Sequence, residues 1–124
     1  MKPKPAGTLD ESTRILKAFA DPARLRLLNL LSGDRDEICV CHLQESLELP
    51  QPTVSRHLAY LRKNGLVIGR KEGLWVHYRL AKPKTGLCRI LVGCLDNALG
   101  DKAVFDLDRQ RLERAISCCG GEGR

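Results

Sequence analysis

Aromatic side chains are scarce in this sequence of 124 residues, since Trp, Tyr and Phe together make up only 4% of it. A core therefore has to be built from Leu, Ile, Val and Ala, and the 43% of hydrophobic residues are enough for one small domain. A domain of this length buries roughly 65% of its unfolded surface, so we expect pairing with a second copy to add stability. Charged residues account for 29% of the chain, which excludes a disordered polyelectrolyte.

Long hydrophobic runs are also lacking. No stretch approaches the roughly 20 apolar residues of a membrane span, and residues 1–5 (MKPKP) do not have the apolar segment of a signal peptide. We therefore expect a cytoplasmic protein with no membrane association. Because cytoplasmic thiols stay reduced, the six cysteines are not expected to form a disulfide framework.

Motifs typical of enzymes are missing as well. The sequence contains no Cys-x-x-Cys pair, no glycine-rich phosphate loop and no recognisable Ser/His/Asp arrangement. The missing Cys-x-x-Cys units also argue against a structural zinc module. The sequence therefore predicts a protein that is not an enzyme and that requires no cofactor.

Positive charge is concentrated in one part of the chain. Residues 51–84 carry eight basic side chains and a single acid, Glu72, for a net charge of +7. The flanking residues 1–50 and 85–124 have net charges of −1 and 0. A basic segment can be merely a solvated face, but an excess confined to 34 residues is expected of a surface that meets a polyanion such as nucleic acid.

The spacing of apolar residues predicts a mainly α-helical chain with one β-hairpin. On the second strand of the hairpin, Leu74, Val76 and Tyr78 are expected to share one face, and the turn is expected to carry Arg70 and Lys71. Helices are expected near residues 9–20, 22–32, 38–47, 51–63, 87–98 and 107–116, and the hairpin near residues 66–80.

Two short helices separated by a tight break and followed by a hairpin predict a winged helix-turn-helix. Val54, Leu58 and Leu61 share one face of the fourth helix and would fasten it to the body. Its polar face is then free to enter a DNA major groove, which is about 12 Å wide. We expect this domain to span residues 9–117, between a flexible segment at 1–8 and a Cys/Gly-rich tail at 118–124.

Several polar residues of the fourth helix and the hairpin are candidates for contact with double-stranded DNA. Arg56 is the leading candidate for a base edge, because Arg can bind guanine through two hydrogen bonds. Each candidate has a plain alternative as an exposed polar residue, and His57 could instead support the helix. The other candidates are Gln51, Thr53 and Ser55 at the helix start, His57 and Lys63 further along, and Arg70 and Lys71, which suit phosphates.

Residues 19–26 (FADPARLR), 51–67 (QPTVSRHLAYLRKNGLV) and 75–80 (WVHYRL) closely resemble the ArsR-type arsenic-sensing repressors of the ArsR/SmtB metal-sensor family. The resemblance is dense over residues 15–80 and elsewhere extends only to the layout of helices. It implies a homodimer joined through the first and fifth helices and bound to a palindromic operator. It also implies release of the DNA when a metal or metalloid occupies the sensor site.

A Cys39-Val40-Cys41 sequence at the start of the third helix looks like the arsenite site of that family. Thiolates are soft donors that select thiophilic ions, and the free amide groups of a first helical turn favour the thiolate. Residues two apart on a helix point about 200° away from each other. One ion held by both sulfurs would therefore distort the turn and tilt the DNA-reading helix. The expected inducer is arsenite, antimonite or methylarsenite.

The family pattern continues to a third cysteine, but Gln44 stands at that position. Arsenite prefers three sulfurs, so either two suffice, another cysteine serves, or the inducer is a methylated arsenical that needs only two. Cys118 and Cys119 are the leading distant donors, although they could form a separate site or be incidental thiols. Cys94 falls on an apolar helical stripe and is expected to be structural, and the role of Cys88 is left open.

Another thiol-reactive input remains an alternative, namely cadmium, lead or an oxidant acting on the same cysteines. The fifth helix contains no histidine, so the carboxylate–histidine zinc site of other branches of the family is absent. His42 could ligate a metal beside Cys41 or be simply hydrogen-bonded. His77 is expected to pack on the hairpin face.

Overall fold

The computed structural model describes residues 8–97 and 102–118. The three strands form one antiparallel sheet in the order β1-β3-β2, so the predicted mainly helical, winged helix-turn-helix fold is confirmed. No helix in the described part of the chain is both long and apolar enough to cross a membrane. In chain order the elements are α1 (Leu9–Phe19), α2 (Pro22–Leu31), β1 (Ile38–Cys39), α3 (Val40–Leu47), α4 (Gln51–Lys63), β2 (Val67–Glu72), β3 (Trp75–Leu80), α5 (Gly86–Asn97) and α6 (Lys102–Cys118).

The helix starts and stops follow local chemistry. Asp21 caps α2, because its Oδ2 accepts a hydrogen bond from the backbone N–H of Arg24 at 3.1 Å, and Pro22 occupies the first helical position. α4 ends just before Gly65, whose φ of +77° lies in the left-handed region that glycine enters without steric cost. These boundaries agree with the sequence-based prediction.

The fourth helix is anchored by its apolar face. The side chains of Val54, Leu58 and Leu61 are each 0% exposed, and α4 packs against α2 and α3. The α3–α4 turn begins at Glu48, which has a φ of +56°. The predicted attachment of α4 to the body is therefore confirmed, and its opposite face remains exposed.

The prediction of a helix from residue 38 to residue 47 is wrong at its first turn. Ile38 and Cys39 form the short strand β1, which pairs with Tyr78 and His77 of β3, and α3 begins only at Val40. The backbone N–H and C=O groups along an unpaired strand edge need hydrogen-bond partners. β1 provides these partners along one edge of β3. Cys39 is consequently the N-cap residue of α3, with extended φ and ψ of −66° and 142°.

The hairpin differs from the prediction in its turn and in its faces. The turn consists of Gly73, with a φ of +61°, and Leu74, which is 93% exposed, so Leu74 does not share a buried face with Tyr78. Arg70 and Lys71 lie within β2 rather than in the turn. His77 and Tyr78 are both buried because β3 is the central strand, with α2 and α3 packed against it.

The last helix is longer than predicted and packs on the helix-turn-helix. Arg26 of α2 donates to the Leu47 carbonyl at the end of α3 and also to Asp108 of α6. Further along α6, Glu113 lies 2.8 Å from Arg35, which belongs to the segment leading into β1. α6 therefore runs antiparallel to α3, with its last residues towards the start of α3.

Two of the predicted domain boundaries also change. Thr8, assigned to a flexible segment, caps α1, since its Oγ1 accepts a hydrogen bond from the Glu11 backbone N–H at 3.1 Å. Cys118, assigned to the tail, is the last residue of α6 because the helical pattern of burial continues through Ala115. The rest of both segments, residues 1–7 and 119–124, lies outside the described residues, and so does Cys119.

Candidate thiolate site and nucleic-acid interface

The two predicted sensor cysteines lie side by side where β1 meets α3. The Cys41 thiol donates to the sulfur of Cys39, and the two Sγ atoms are 3.1 Å apart. Cys39 is 2% exposed and Cys41 is half-buried. The expectation that the sulfurs point apart is wrong, because Cys39 has extended backbone angles and does not belong to the helical turn.

The spacing of the two sulfurs is compatible with one shared thiophilic ion. A thiolate–metal bond of about 2.3 Å puts two sulfurs on the same ion about 3 to 4 Å apart, which is close to the observed 3.1 Å. Both side chains can therefore bind the same ion with little movement of the backbone. Within the ranges 8–97 and 102–118, no three His, Cys, Asp or Glu side chains are placed to hold a metal ion. A third metal-binding side chain is therefore not already in place beside the two cysteines in the described residues.

The direction of α6 bears on that third donor. Arg111 of α6 lies 3.3 Å from Glu48 at the C-terminal end of α3. Seven residues separate Glu48 from Cys41, and seven separate Arg111 from Cys118, an axial step of about 10 Å on each helix. On antiparallel helices these equal steps predict that Cys118, whose side chain is exposed, lies towards the start of α3.

The other cysteines and His42 lie in different surroundings. Cys88, near the start of α5, is buried, and burial, together with the negative charge of Glu11, raises the pKa of its thiol. Cys94 is half-buried on the same helix. His42 is 5% exposed, and its backbone carbonyl accepts a hydrogen bond from the Ser46 hydroxyl.

The predicted DNA-contacting residues are spread over the outer face of α4 and over β2. All of them are at least partly accessible, which a contact with DNA requires. On α4, Gln51, Arg56 and Lys63 are exposed, and Thr53, Ser55 and His57 are half-buried; on β2, Arg70 and Lys71 are exposed.

His57 is held from the side of the protein body rather than turned outwards. Its Nδ1 lies 3.4 Å from a guanidinium nitrogen of Arg24 and 3.8 Å from Oδ2 of Asp21. These contacts favour the alternative in which His57 supports the helix.

Arg24 is an important residue that the sequence analysis did not single out. Its guanidinium donates to the carbonyls of Ala18 at 2.8 Å and Lys17 at 3.0 Å, and it stacks over the Tyr60 ring at 4.2 Å. Arg24 thus joins the end of α1 to the middle of α4. The motif at residues 19–26 contains it, but its partners lie on two other elements.

Arg70, predicted to contact a phosphate, is bound to two carboxylates. Its Nη2 lies 2.7 Å from Glu37 and its Nη1 lies 3.0 Å from Glu72. The hydrogen bond to Arg70 lowers the pKa of Glu37, and the two carboxylates raise the pKa of Arg70.

The winged helix-turn-helix, with the Cys39–Cys41 dithiol at the start of its first helix, α3, defines the class of this protein. The sequence profile described as "Bacterial regulatory protein, arsR family" matches residues 21–68. The chain belongs to this family of bacterial regulators.

Curated relatives carry names of transcriptional regulators. The chain is 50% identical over 68 residues to the "Arsenical resistance operon repressor" of Escherichia coli (strain K12), a match that spans 55% of this chain and 57% of that protein. It is 46% identical over 69 residues to an uncharacterized HTH-type transcriptional regulator of Methanocaldococcus jannaschii, spanning 56% of this chain and 76% of the relative. The chain thus spans little more than half the length of the arsenical repressor.

Solved structures share the fold. HlyU from Vibrio cholerae N16961 superposes with a TM-score of 0.62 at 34% identity, covering 73% of this chain and 94% of its own. A solution structure from Mycobacterium bovis, described as a homodimeric winged helix-turn-helix DNA-binding domain of a possible ArsR-family regulator, gives a TM-score of 0.59 at 28% identity. It covers 81% of this chain and 94% of its own.

Proposed function

We propose that this protein is a transcriptional repressor that binds operator DNA as a homodimer and releases it when As(III) binds to Cys39 and Cys41. The observation that carries the proposal is the 3.1 Å separation of the two sulfurs at the entrance to the helix-turn-helix. Soft thiolates select thiophilic ions over hard, abundant ones. The similarity to a protein named as an arsenical resistance repressor supports As(III) as the ligand.

The proposed dimer brings two copies of α4 to DNA. Leu9 and Leu16 on α1 and Ile90 on α5 are 84%, 49% and 66% exposed, and large apolar side chains exposed on two helices suit an interface with a second copy. The M. bovis neighbour described as homodimeric supports this arrangement. A two-fold dimer would read a palindromic operator through the exposed faces of both α4 helices.

We further propose that the C-terminal end of α6 supplies the third sulfur. Cys118 is the last residue of α6, whose end lies towards the start of α3, and its side chain is exposed. Cys119 follows it in the sequence. Bound As(III) would then tie α6 to the start of α3. A methylated arsenical would need only Cys39 and Cys41.

The route from binding to release needs no unwinding of α3. The sequence-based hypothesis required the first turn to open, but two adjacent sulfurs can close on one ion without that change. Binding instead restrains the junction of β1 and α3. This restraint can reach DNA through α3 and α4 or through the sheet.

Operator release tests the proposal. A duplex selected by the purified protein from a random library is labelled, and its release is followed by fluorescence anisotropy with arsenite, antimonite, cadmium, zinc and peroxide in parallel. We expect arsenite and antimonite to release the DNA, Cys39→Ser/Cys41→Ser to abolish release, and Cys94→Ser to preserve it. Release by peroxide alone, reversed by a reductant, would replace the proposal with a redox sensor.

Counting the sulfurs around arsenic tests the third donor. X-ray absorption of the loaded protein is expected to show three As–S bonds. A Cys118→Ser/Cys119→Ser variant is expected to show two, while arsenite still binds. Three bonds in that variant would contradict a donor from the end of the chain.

A further inference from the structure

The sheet connects the dithiol directly to the wing. Cys39 pairs with His77 of β3, and His77 pairs in turn with Arg70 of β2. Neighbouring strands are about 4.8 Å apart, so only two strand spacings separate the backbone of Cys39 from that of Arg70. A change at Cys39 therefore has a short path to the most basic strand of the hairpin.

The side chain of Glu37 also reaches from the β1 end of the sheet to Arg70 of β2. It immediately precedes β1, and its Oε1 accepts from Nη2 of Arg70 at 2.7 Å while its Oε2 accepts from Nε at 3.0 Å. Two such bonds form the fork in which a guanidinium binds either a carboxylate or a phosphate. Glu37 thus occupies the edge of Arg70 that a DNA phosphate would use.

Glu72 lies 3.0 Å from the remaining nitrogen, Nη1 of Arg70. A phosphate must therefore displace a carboxylate before it can bind Arg70 by the same donors. Glu72 shares β2 with Arg70 and moves with it, whereas Glu37 belongs to the segment that leads into Cys39. Of the two carboxylates, Glu37 is the one that a change at the dithiol can move.

The Glu37–Arg70 pair is accessible to DNA, and its loss should reduce the folding stability only slightly. The side chains of Arg70 and Glu37 are 50% and 26% exposed. Ion pairs at this level of exposure contribute little to folding stability, whereas the charge of each phosphate-binding residue contributes directly to DNA affinity. Removing Glu37 should therefore alter DNA binding much more than it alters folding.

We propose that Glu37 competes with DNA phosphate for Arg70, and that an occupied Cys39–Cys41 dithiol favours the Glu37–Arg70 pair over DNA. This inference rests on the proposed function, because it takes the wing as a DNA-contacting surface and the dithiol as the sensor. An ion bound to both sulfurs ties the end of β1 to the first turn of α3 and so restrains the segment that holds Glu37. By linkage, whatever favours this pair weakens DNA binding to the same extent.

The first test measures DNA affinity without arsenite. Glu37→Gln keeps the shape of the side chain and removes its charge. In the full-length protein it should bind both the selected duplex and a random duplex about three- to tenfold more tightly, with a salt dependence steeper by about 0.9 per phosphate gained. Glu113→Gln, which removes an exposed carboxylate that pairs with Arg35, two residues before Glu37, and not with Arg70, is the matched control for charge and should change affinity less than twofold.

A double-mutant cycle assigns the effect to Arg70. In an Arg70→Gln background, Glu37→Gln should bring no gain in affinity, because the residue for which it competes is gone. A gain that persists there would be a general effect of charge and would overturn the proposal. Equal affinities for Glu37→Gln and Glu113→Gln would overturn it as well.

The last test adds arsenite. Glu37→Gln should bind the same amount of arsenite as the wild type, measured by thiolate–arsenic absorption, yet retain more DNA at saturation. If it released DNA as completely as the wild type, the coupling to the dithiol would be refuted. If arsenite did not release DNA from the wild-type protein, the proposed sensor would be refuted. The double-mutant cycle would still test whether Glu37 competes with DNA for Arg70.

Discussion

Arg26 and Asp108 form a buried ion pair that joins α2 to α6, although 82 residues separate them in the sequence. Nε and Nη2 of Arg26 donate to the two carboxylate oxygens of Asp108 at 2.9 and 2.8 Å. The same Nη2 donates to the Leu47 carbonyl at 3.1 Å, at the point where α3 ends and the turn to α4 begins. One guanidinium therefore attaches the last helix to the helix-turn-helix, and its bond to Asp108 raises the pKa of Arg26.

Asp108→Ala should strongly destabilise the protein. The side chain of Asp108 is 0% exposed and that of Arg26 is 21% exposed, so the change leaves a largely buried cation without its main partner. Breaking such a pair costs about 3–5 kcal/mol, which urea unfolding followed by circular dichroism would measure.

Asp106→Ala supplies the control on the same helix. Asp106 is 45% exposed and lies 3.8 Å from Lys102, so its removal should cost less than about 1 kcal/mol. If both variants unfolded at the same urea concentration, the pair would have no special role in holding α6.

The sequence was sufficient for the elements whose signals are local. Asp21 and Pro22 mark a helix start within two residues, and Gly65 marks a helix end, so the bounds of α2 and α4 follow from capping chemistry. The alternation of apolar residues located the hairpin. These features depend on neighbours within a few positions, which is the range over which pattern and propensity act.

Features that depend on distant partners were not predictable. Cys39 leaves the helix because β3 offers it a strand edge 38 positions further on, at His77. The contact of the two sulfurs follows from that pairing and not from helical spacing. Likewise, Arg70 looked like a free phosphate ligand because Glu37 lies 33 residues away in the sequence.

Arg24→Lys should loosen the attachment of α4. Lysine keeps the charge, but its single ammonium group cannot reproduce the bonds to the Ala18 and Lys17 carbonyls together with the stacking on Tyr60. We expect a loss of about 1–3 kcal/mol in the free energy of unfolding, with weaker binding to all DNA sequences. Arg14→Lys, at a side chain that is 57% exposed, should leave both quantities unchanged; equal losses in the two variants would contradict the assignment.

Arg56→Ala and Lys71→Ala should weaken DNA binding in different ways. Arg56 is exposed on the outer face of α4, where it can read a base edge, so its loss should cost about 1–3 kcal/mol on the selected duplex and relax the sequence preference. Lys71 lies on β2, where it suits a phosphate, so its loss should weaken binding to selected and random duplexes equally and lower the salt slope by about 0.9. Equal losses on both duplexes for Arg56→Ala would overturn its role in readout.

Cys88 should react more slowly than Cys118 with an alkylating agent. Burial and the charge of Glu11 raise the pKa of the Cys88 thiol above its ordinary value, so less of it is the reactive thiolate at pH 8. Cys118 is exposed at the end of α6. With iodoacetamide and mass spectrometry of the peptides, we expect Cys118 to be modified at least tenfold faster. Raising the pH above the ordinary thiol range should increase the rate at Cys88, because its raised pKa delays formation of the thiolate. In the unfolded protein the Cys88 thiol has its ordinary, lower pKa, so it loses its proton at a lower pH than in the folded protein. The fold should therefore become less stable as the pH rises through the ordinary thiol range. Comparable modification rates in the folded protein would show that Cys88 is accessible, contrary to its 6% exposure.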